Sequence, residues 1–188
     1  MQTYRRSGIE RRKTQISSSD EHRRDEERRS LRKNPDKTIE RLKKVPMFEG
    51  LTSEQLRKML NICSKKEYKA NQHIYSAGEE SKNMFILLKG KIGIAFNESI
   101  DLQSITPAGI VGEMGIFTGE KRSANVVAET DCTVLNFNNT ELFKLFSSDT
   151  NLHIKILMNI IKDLSKKMRR SNDQIDQLLY RIRVLDIM

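Results

Sequence analysis

The run Met84-Phe85-Ile86-Leu87-Leu88-Lys89-Gly90-Lys91-Ile92-Gly93-Ile94-Ala95-Phe96 decides how this chain folds. It holds two apolar stretches, each too short for a helix, that meet at a glycine able to turn the backbone. Five further stretches of the same kind surround it: Glu67–Lys69, His73–Tyr75, Ile100–Ile105, Asn125–Ala128 and Thr133–Phe137. Turn residues separate them at Gly78-Glu79, Gly90, Asn97-Glu98, Pro107-Ala108-Gly109 and a loop over Gly112–Arg122. Seven short strands with regular turns predict a small antiparallel roll or sandwich. No internal repeat is visible.

Helices are expected on both sides of this β region. Asp36 is a plausible N-cap for a short helix with Ile39 and Leu42 on one face, ended by Pro46. Thr52-Ser53-Glu54-Gln55 has capping-box spacing and opens a helix whose Leu56, Met59, Leu60 and Cys63 share a stripe. Asp149-Thr150-Asn151 can cap a third helix, and no proline or glycine follows to Met188. In that last segment Leu157, Ile161, Leu164, Met168, Ser171, Ile175, Leu178, Ile182 and Leu185 alternate four and three apart, a heptad seam. Isoleucine prevails at a and leucine at d, the combination that favours two parallel strands. A homodimer through the C-terminal helix is therefore expected. Ile154, Ile156 and Ile160 add a second strip with which the first half can pack on its own domain.

Three segments follow: a basic arm over 1–35, a β-roll with N-terminal helices over 36–150, and the long helix over 151–188. Of the net charge of +9, most belongs to the first part. Up to Lys44 there are fifteen Lys/Arg against eight Asp/Glu, and after it nineteen against seventeen. The arm has too few apolar residues to offset its ordering entropy, so disorder is expected, with at most a transient helix over His22–Lys33. Its doublets Arg5-Arg6, Arg11-Arg12, Arg23-Arg24 and Arg28-Arg29 could neutralise phosphates of nucleic acid, a membrane surface or another acidic partner. Arg24-x-x-x-Arg28 is similar to an arginine pair of PilZ domains, but the companion Asp/Asn-x-Ser-x-x-Gly is missing.

Cys63 and Cys132 read as buried free thiols. No signal peptide and no apolar run of membrane-spanning length appears, so a cytoplasmic location is expected. His22, His73 and His153 are scattered without metal-ligand spacing. No nucleophile arrangement or P-loop is present, so an enzyme is not expected.

The chemistry concentrates in Gly112-Glu113-Met114-Gly115-Ile116-Phe117 and, a few residues on, Arg122-Ser123-Ala124. Glycines let backbone N–H groups approach an anion, a guanidinium offers two prongs to phosphate, and a carboxylate accepts from sugar hydroxyls. A ligand with an anionic end and a hydroxylated end fits both charges, and a nucleotide has both.

In order and spacing these pieces resemble the cyclic nucleotide-binding domains, in particular the bacterial catabolite-activator type. The resemblance runs from about Ile39 to Leu185. It rests on Phe48-Glu49-Gly50-Leu51-Thr52, Tyr75-Ser76-Ala77-Gly78-Glu79, Phe85-Ile86-Leu87-Leu88-Lys89-Gly90, the Gly112–Ala124 cassette and Met168-Arg169-Arg170-Ser171-Asn172. It implies an α+β chain with an antiparallel β-roll (double-stranded β-helix or jelly-roll), flanked by N-terminal helices and a long C-terminal dimerisation helix. It also implies a non-catalytic sensor. Glu113 would accept the ribose 2′-hydroxyl, and Arg122 and Ser123 would hold the phosphate. Gly112, Met114, Gly115 and Ala124 would line the ligand, and Ser171 and Asn172 would meet the base. The Arg-Ser-Ala order is similar to that of cAMP receptors, so cAMP is favoured over cGMP. Such receptors usually continue into a helix-turn-helix; the chain stops at Met188, so an output through a separate effector protein is expected.

Overall fold

In the computed structural model, residues 35–95 and 103–185 are described. The expected arm, apart from Pro35, lies outside them, as do Phe96, Ile100 and residues 186–188. Chain order is α1 (Pro35–Leu42), a 3-10 turn (Pro46–Phe48), α2 (Ser53–Ile62), β1 (Cys63–Tyr68), β2 (His73–Tyr75), β3 (Asn83–Lys89), β4 (Ile92–Ala95), β5 (Gln103–Ile105), β6 (Ile110–Val111), α3 (Glu113–Thr118), β7 (Asn125–Ala128), β8 (Cys132–Asn138), α4 (Asn139–Ser148) and α5 (Thr150–Leu185).

The strands form two four-stranded sheets, ordered β1-β8-β3-β6 and β2-β7-β4-β5. Every pairing is antiparallel. This is the antiparallel roll with flanking helices and a long C-terminal helix that the strand pattern and the resemblance predict.

The unbroken apolar run of β3 follows from its place between two cores. Successive side chains of a strand point to opposite faces. Met84 and Ile86 face the helical layer with Phe48, Leu56, Phe137 and Phe146, while Phe85 and Leu87 face the other sheet with Ile92, Val126 and Val134. β8 divides in the same way, with Val134 inward and Leu135 and Phe137 toward the helices. A strand buried on both faces carries no polar alternation.

Several expected boundaries shift. α1 starts at Pro35, whose missing N–H suits a first turn, so Asp36 sits inside that turn and bonds Arg57 at 3.2 Å instead of capping. The helix stops at Leu42, and Pro46 opens the following 3-10 turn. The Thr52/Gln55 capping box forms with both reciprocal bonds. Cys63, expected on the α2 stripe, is instead the extended residue that begins β1. Its thiol is buried and donates to Leu60 O at 3.3 Å, and the Cys132 thiol is buried and donates to Lys91 O at 3.0 Å.

The loop expected over Gly112–Arg122 contains α3. α4 was not foreseen, because β8 runs into it without a break: Asn138 ends the strand and caps the helix through Thr140 N at 2.9 Å.

α5 is one helix of 36 residues, roughly 54 Å long at 1.5 Å per residue. Asp149 caps it by accepting from Leu152 N at 3.0 Å. Its first half docks on the domain through buried Leu152, Ile156 and Ile160. Asn159 is buried there, its Nδ2 donating to Met47 O at 3.0 Å and Glu49 O at 2.8 Å. Those bonds satisfy two carbonyls of the 3-10 turn that would otherwise be shielded from water. Ile154, expected in the docked strip, is 55% exposed because it lies two residues from Ile156 and so on the far side of the helix. Beyond Leu164 the seam residues Met168, Ile175, Leu178 and Ile182 are exposed.

Candidate functional site

The cassette is built around an arginine that the fold holds from several sides. The backbone of Arg122 pairs with the Gly78-Glu79 turn: Gly78 N donates to Arg122 O at 2.9 Å and Arg122 N to Glu79 O at 2.8 Å. The turn therefore acts as a short brace for the cassette. The guanidinium is tucked inside, with Arg122 only 6% exposed. Nη1 donates to Gly112 O at 3.1 Å, and Nη2 donates to Asn83 O at 2.5 Å and to Asn83 Oδ1 at 2.7 Å. Its face lies over the Tyr75 ring, with Cζ 4.1 Å from the centroid. Tyr75 in turn stacks on Phe85 at 6.2 Å. Among the described residues Arg122 Nε is buried without a partner. Burial lowers the guanidinium pKa, opposed by Tyr75, Glu79 and Glu113; an arginine stays charged regardless. Burial also raises the Tyr75 hydroxyl pKa, so that group is neutral.

Two glycines make this packing possible. Gly112 has φ +82°, and a Cβ there would overlap Arg122 Nη1. A Cβ on Gly115 would overlap Ser81 Oγ and come within 2.7 Å of Glu120 O.

Glu113 opens α3 and is 8% exposed. Its carboxylate accepts from Lys167 Nζ at 3.0 Å, a bond that ties the cassette to α5. Lys167 also reaches Asp163 Oδ2 at 3.0 Å, one turn earlier on the same helix. Burial lowers the Lys167 pKa, but the two carboxylates outweigh it and the net shift is upward.

Between these parts lies a cavity of about 690 Å³. Gly112, Glu113, Met114, Gly115, Arg122, Ser123, Ala124 and Ser171 all border it. Asn172 does not: it is exposed, about 100° around the helix from Ser171. Among the residues that sequence reasoning did not assign are Tyr75, Ser81, Asn83 and Lys167. Lys167 left a signal, because it stands four after Asp163 and four before Ser171, hence on their face. Asn83 and Ser81 left none, since only the fold carries the start of β3 to the cassette. Among the described residues no cluster of His, Cys, Asp or Glu could hold a metal ion, and no helix is long and apolar enough to cross a membrane.

The cavity thus offers a buried cation, a buried carboxylate and a helix carrying a hydroxyl, which together suit an anion bearing hydroxyl groups. Comparison with known proteins agrees with the fold and the chemistry. Residues 65–149 match the family described as "Cyclic nucleotide-binding domain". Glutaminase 1 of Bradyrhizobium diazoefficiens is 23% identical over 137 residues, covering 73% of this chain and 22% of that protein. The cyclic AMP receptor protein of Thermus thermophilus is 25% identical over 148 residues, covering 74% of this chain and 64% of the receptor. The chain therefore spans less than two thirds of either relative. Among solved structures, a cyclic nucleotide-binding domain from Methylobacillus flagellatus superposes with a TM-score of 0.66 at 21% identity, covering 74% of this chain and 83% of that one.

Proposed function

We propose, for a chain whose residues 65–149 form a member of the cyclic nucleotide-binding domain family, that it is a non-catalytic sensor of a cyclic mononucleotide, with cAMP the preferred ligand. The observation that carries this reading is the shared cavity: Glu113 and Arg122 border one hollow, and Ser171 of α5 closes its other side. In this reading Arg122 and Ser123 hold the phosphate, Gly112, Met114, Gly115 and Ala124 line it, and Glu113 accepts the ribose 2′-hydroxyl. Ser171 meets the base from α5, whereas Asn172 lies outside the cavity of the single chain. The exposed seam of α5 supports a homodimer, since Ile161, Met168, Ile175 and Ile182 otherwise stand in water. The name of the Thermus relative, a cyclic AMP receptor, supports cAMP as the first ligand to try.

Binding shifts the balance between arrangements of roll and helix only by as much as it favours one of them. Arg122 is already held by Asn83 and Gly112, so a phosphate takes up the remaining donor capacity of a preset guanidinium. Removing it costs about 2–3 kcal/mol of binding, or at least about tenfold in affinity. Titration calorimetry of the wild type and Arg122→Ala with cAMP and with cGMP tests this. Equal affinities in the two proteins overturn the assignment.

A second reading rests on the same bonds. Both charged groups have protein partners, as in a nucleotide-free scaffold whose basic arm engages nucleic acid, membrane or another acidic partner. Wild type that binds neither nucleotide favours that scaffold.

A further inference from the structure

The carboxylate of the cavity already has a cation on it. Lys167 Nζ lies 3.0 Å from Glu113 Oε1, and the Glu113 side chain is 11% exposed against 46% for Lys167. The carboxylate is therefore the buried member of the pair, and the ammonium approaches it from the α5 side. Lys167 itself borders the cavity, whereas Asp163, its second partner, does not.

A ligand hydroxyl that donates to Glu113 Oε1 competes with this ammonium for the lone pairs of that oxygen. Lys167 gives it up at reduced cost, because Asp163 remains within 3.0 Å on its own helix. Resting on the reading of the cavity as a nucleotide site, we infer that Lys167 is an internal competitor for Glu113: a ligand hydroxyl displaces the ammonium, which falls back on Asp163. Lys167 is thus a specificity-determining residue. It opposes a ligand that donates to Glu113 Oε1 and leaves unopposed a ligand that lacks the hydroxyl. The same exchange breaks a direct bond between cassette and α5, so the occupancy of one atom, Glu113 Oε1, is felt by the long helix.

The geometry fixes opposite signs for two substitutions. Lys167→Met keeps the apolar stem and removes the competitor, so cAMP affinity rises by about fivefold, the scale of a partly exposed ion pair. Affinity for 2′-deoxy-cAMP stays where it was. Asp163→Asn removes the fallback at a residue outside the cavity, so Lys167 holds Glu113 more tightly and cAMP affinity falls.

Titration calorimetry of full-length wild type, Lys167→Met, Asp163→Asn and Arg122→Ala with both nucleotides reads all of this in one series. Weaker or unchanged cAMP binding by Lys167→Met, or tighter binding by Asp163→Asn, overturns the competitor. If Arg122→Ala loses affinity in the same series, the nucleotide reading stands while the competitor falls. Wild type that binds neither nucleotide overturns both.

Discussion

Gly112→Ala separates the two things the cassette asks of its glycines, a left-handed backbone and room for a guanidinium. Gly112 and Gly119 flank α3, and both have positive φ, +82° and +75°. Placing a Cβ in that region costs about 1–2 kcal/mol. At Gly119 nothing among the described residues lies within 4 Å of the added carbon, so Gly119→Ala carries the backbone cost alone. At Gly112 the new carbon overlaps Arg122 Nη1 and would lie 3.2 Å from Cζ. The guanidinium must move, and it then loses its 3.1 Å bond to Gly112 O, worth roughly a further 1.5–3 kcal/mol for a charged donor.

Urea unfolding should therefore show Gly119→Ala lower by about 1–2 kcal/mol and Gly112→Ala lower by about 2.5–5 kcal/mol. Calorimetry with cAMP should show affinity lost by about tenfold or more in Gly112→Ala alone, since only there is the cation proposed to hold the phosphate displaced. Equal stability losses, or cAMP binding by Gly112→Ala as tight as by Gly119→Ala, would refute the packing argument.

Asn159→Ala leaves Met47 O and Glu49 O without their donor and should lower stability by about 1–3 kcal/mol in the same assay; an unchanged midpoint would mean that α5 docks without it. Ile175→Glu places a charge on the seam face, where Ile175 is 53% exposed in a single chain. Sedimentation should then show a dimer reduced to monomer, with the melting curve of the roll intact; a dimer that survives the substitution excludes this seam.

The β-roll was legible because its strands are short and apolar and end at residues that turn, Gly90 and Gly78 among them. The two ionic anchors were legible from residue type and spacing, Glu113 and Arg122 nine residues apart across two glycines. α3 and α4 were hidden: α3 follows β6 after the single residue Gly112, and α4 follows β8 with no residue between them. Ile154 looked like a docking residue because hydropathy records that a residue is apolar and not which face of the helix it occupies.

The amino-acid sequence by itself determined the local terms: the capping box at Thr52, the turn at Gly90 and the heptad spacing of α5. These depend on propensities and periods that a few neighbouring residues set. Tertiary structure alone decided which partners the charged groups take. Asn83 lies 39 residues from the arginine it grips, and Lys167 lies 54 residues from the glutamate it neutralises. A bond across such a separation forms only when packing has brought both ends together, and single residues carry no mark of it beforehand.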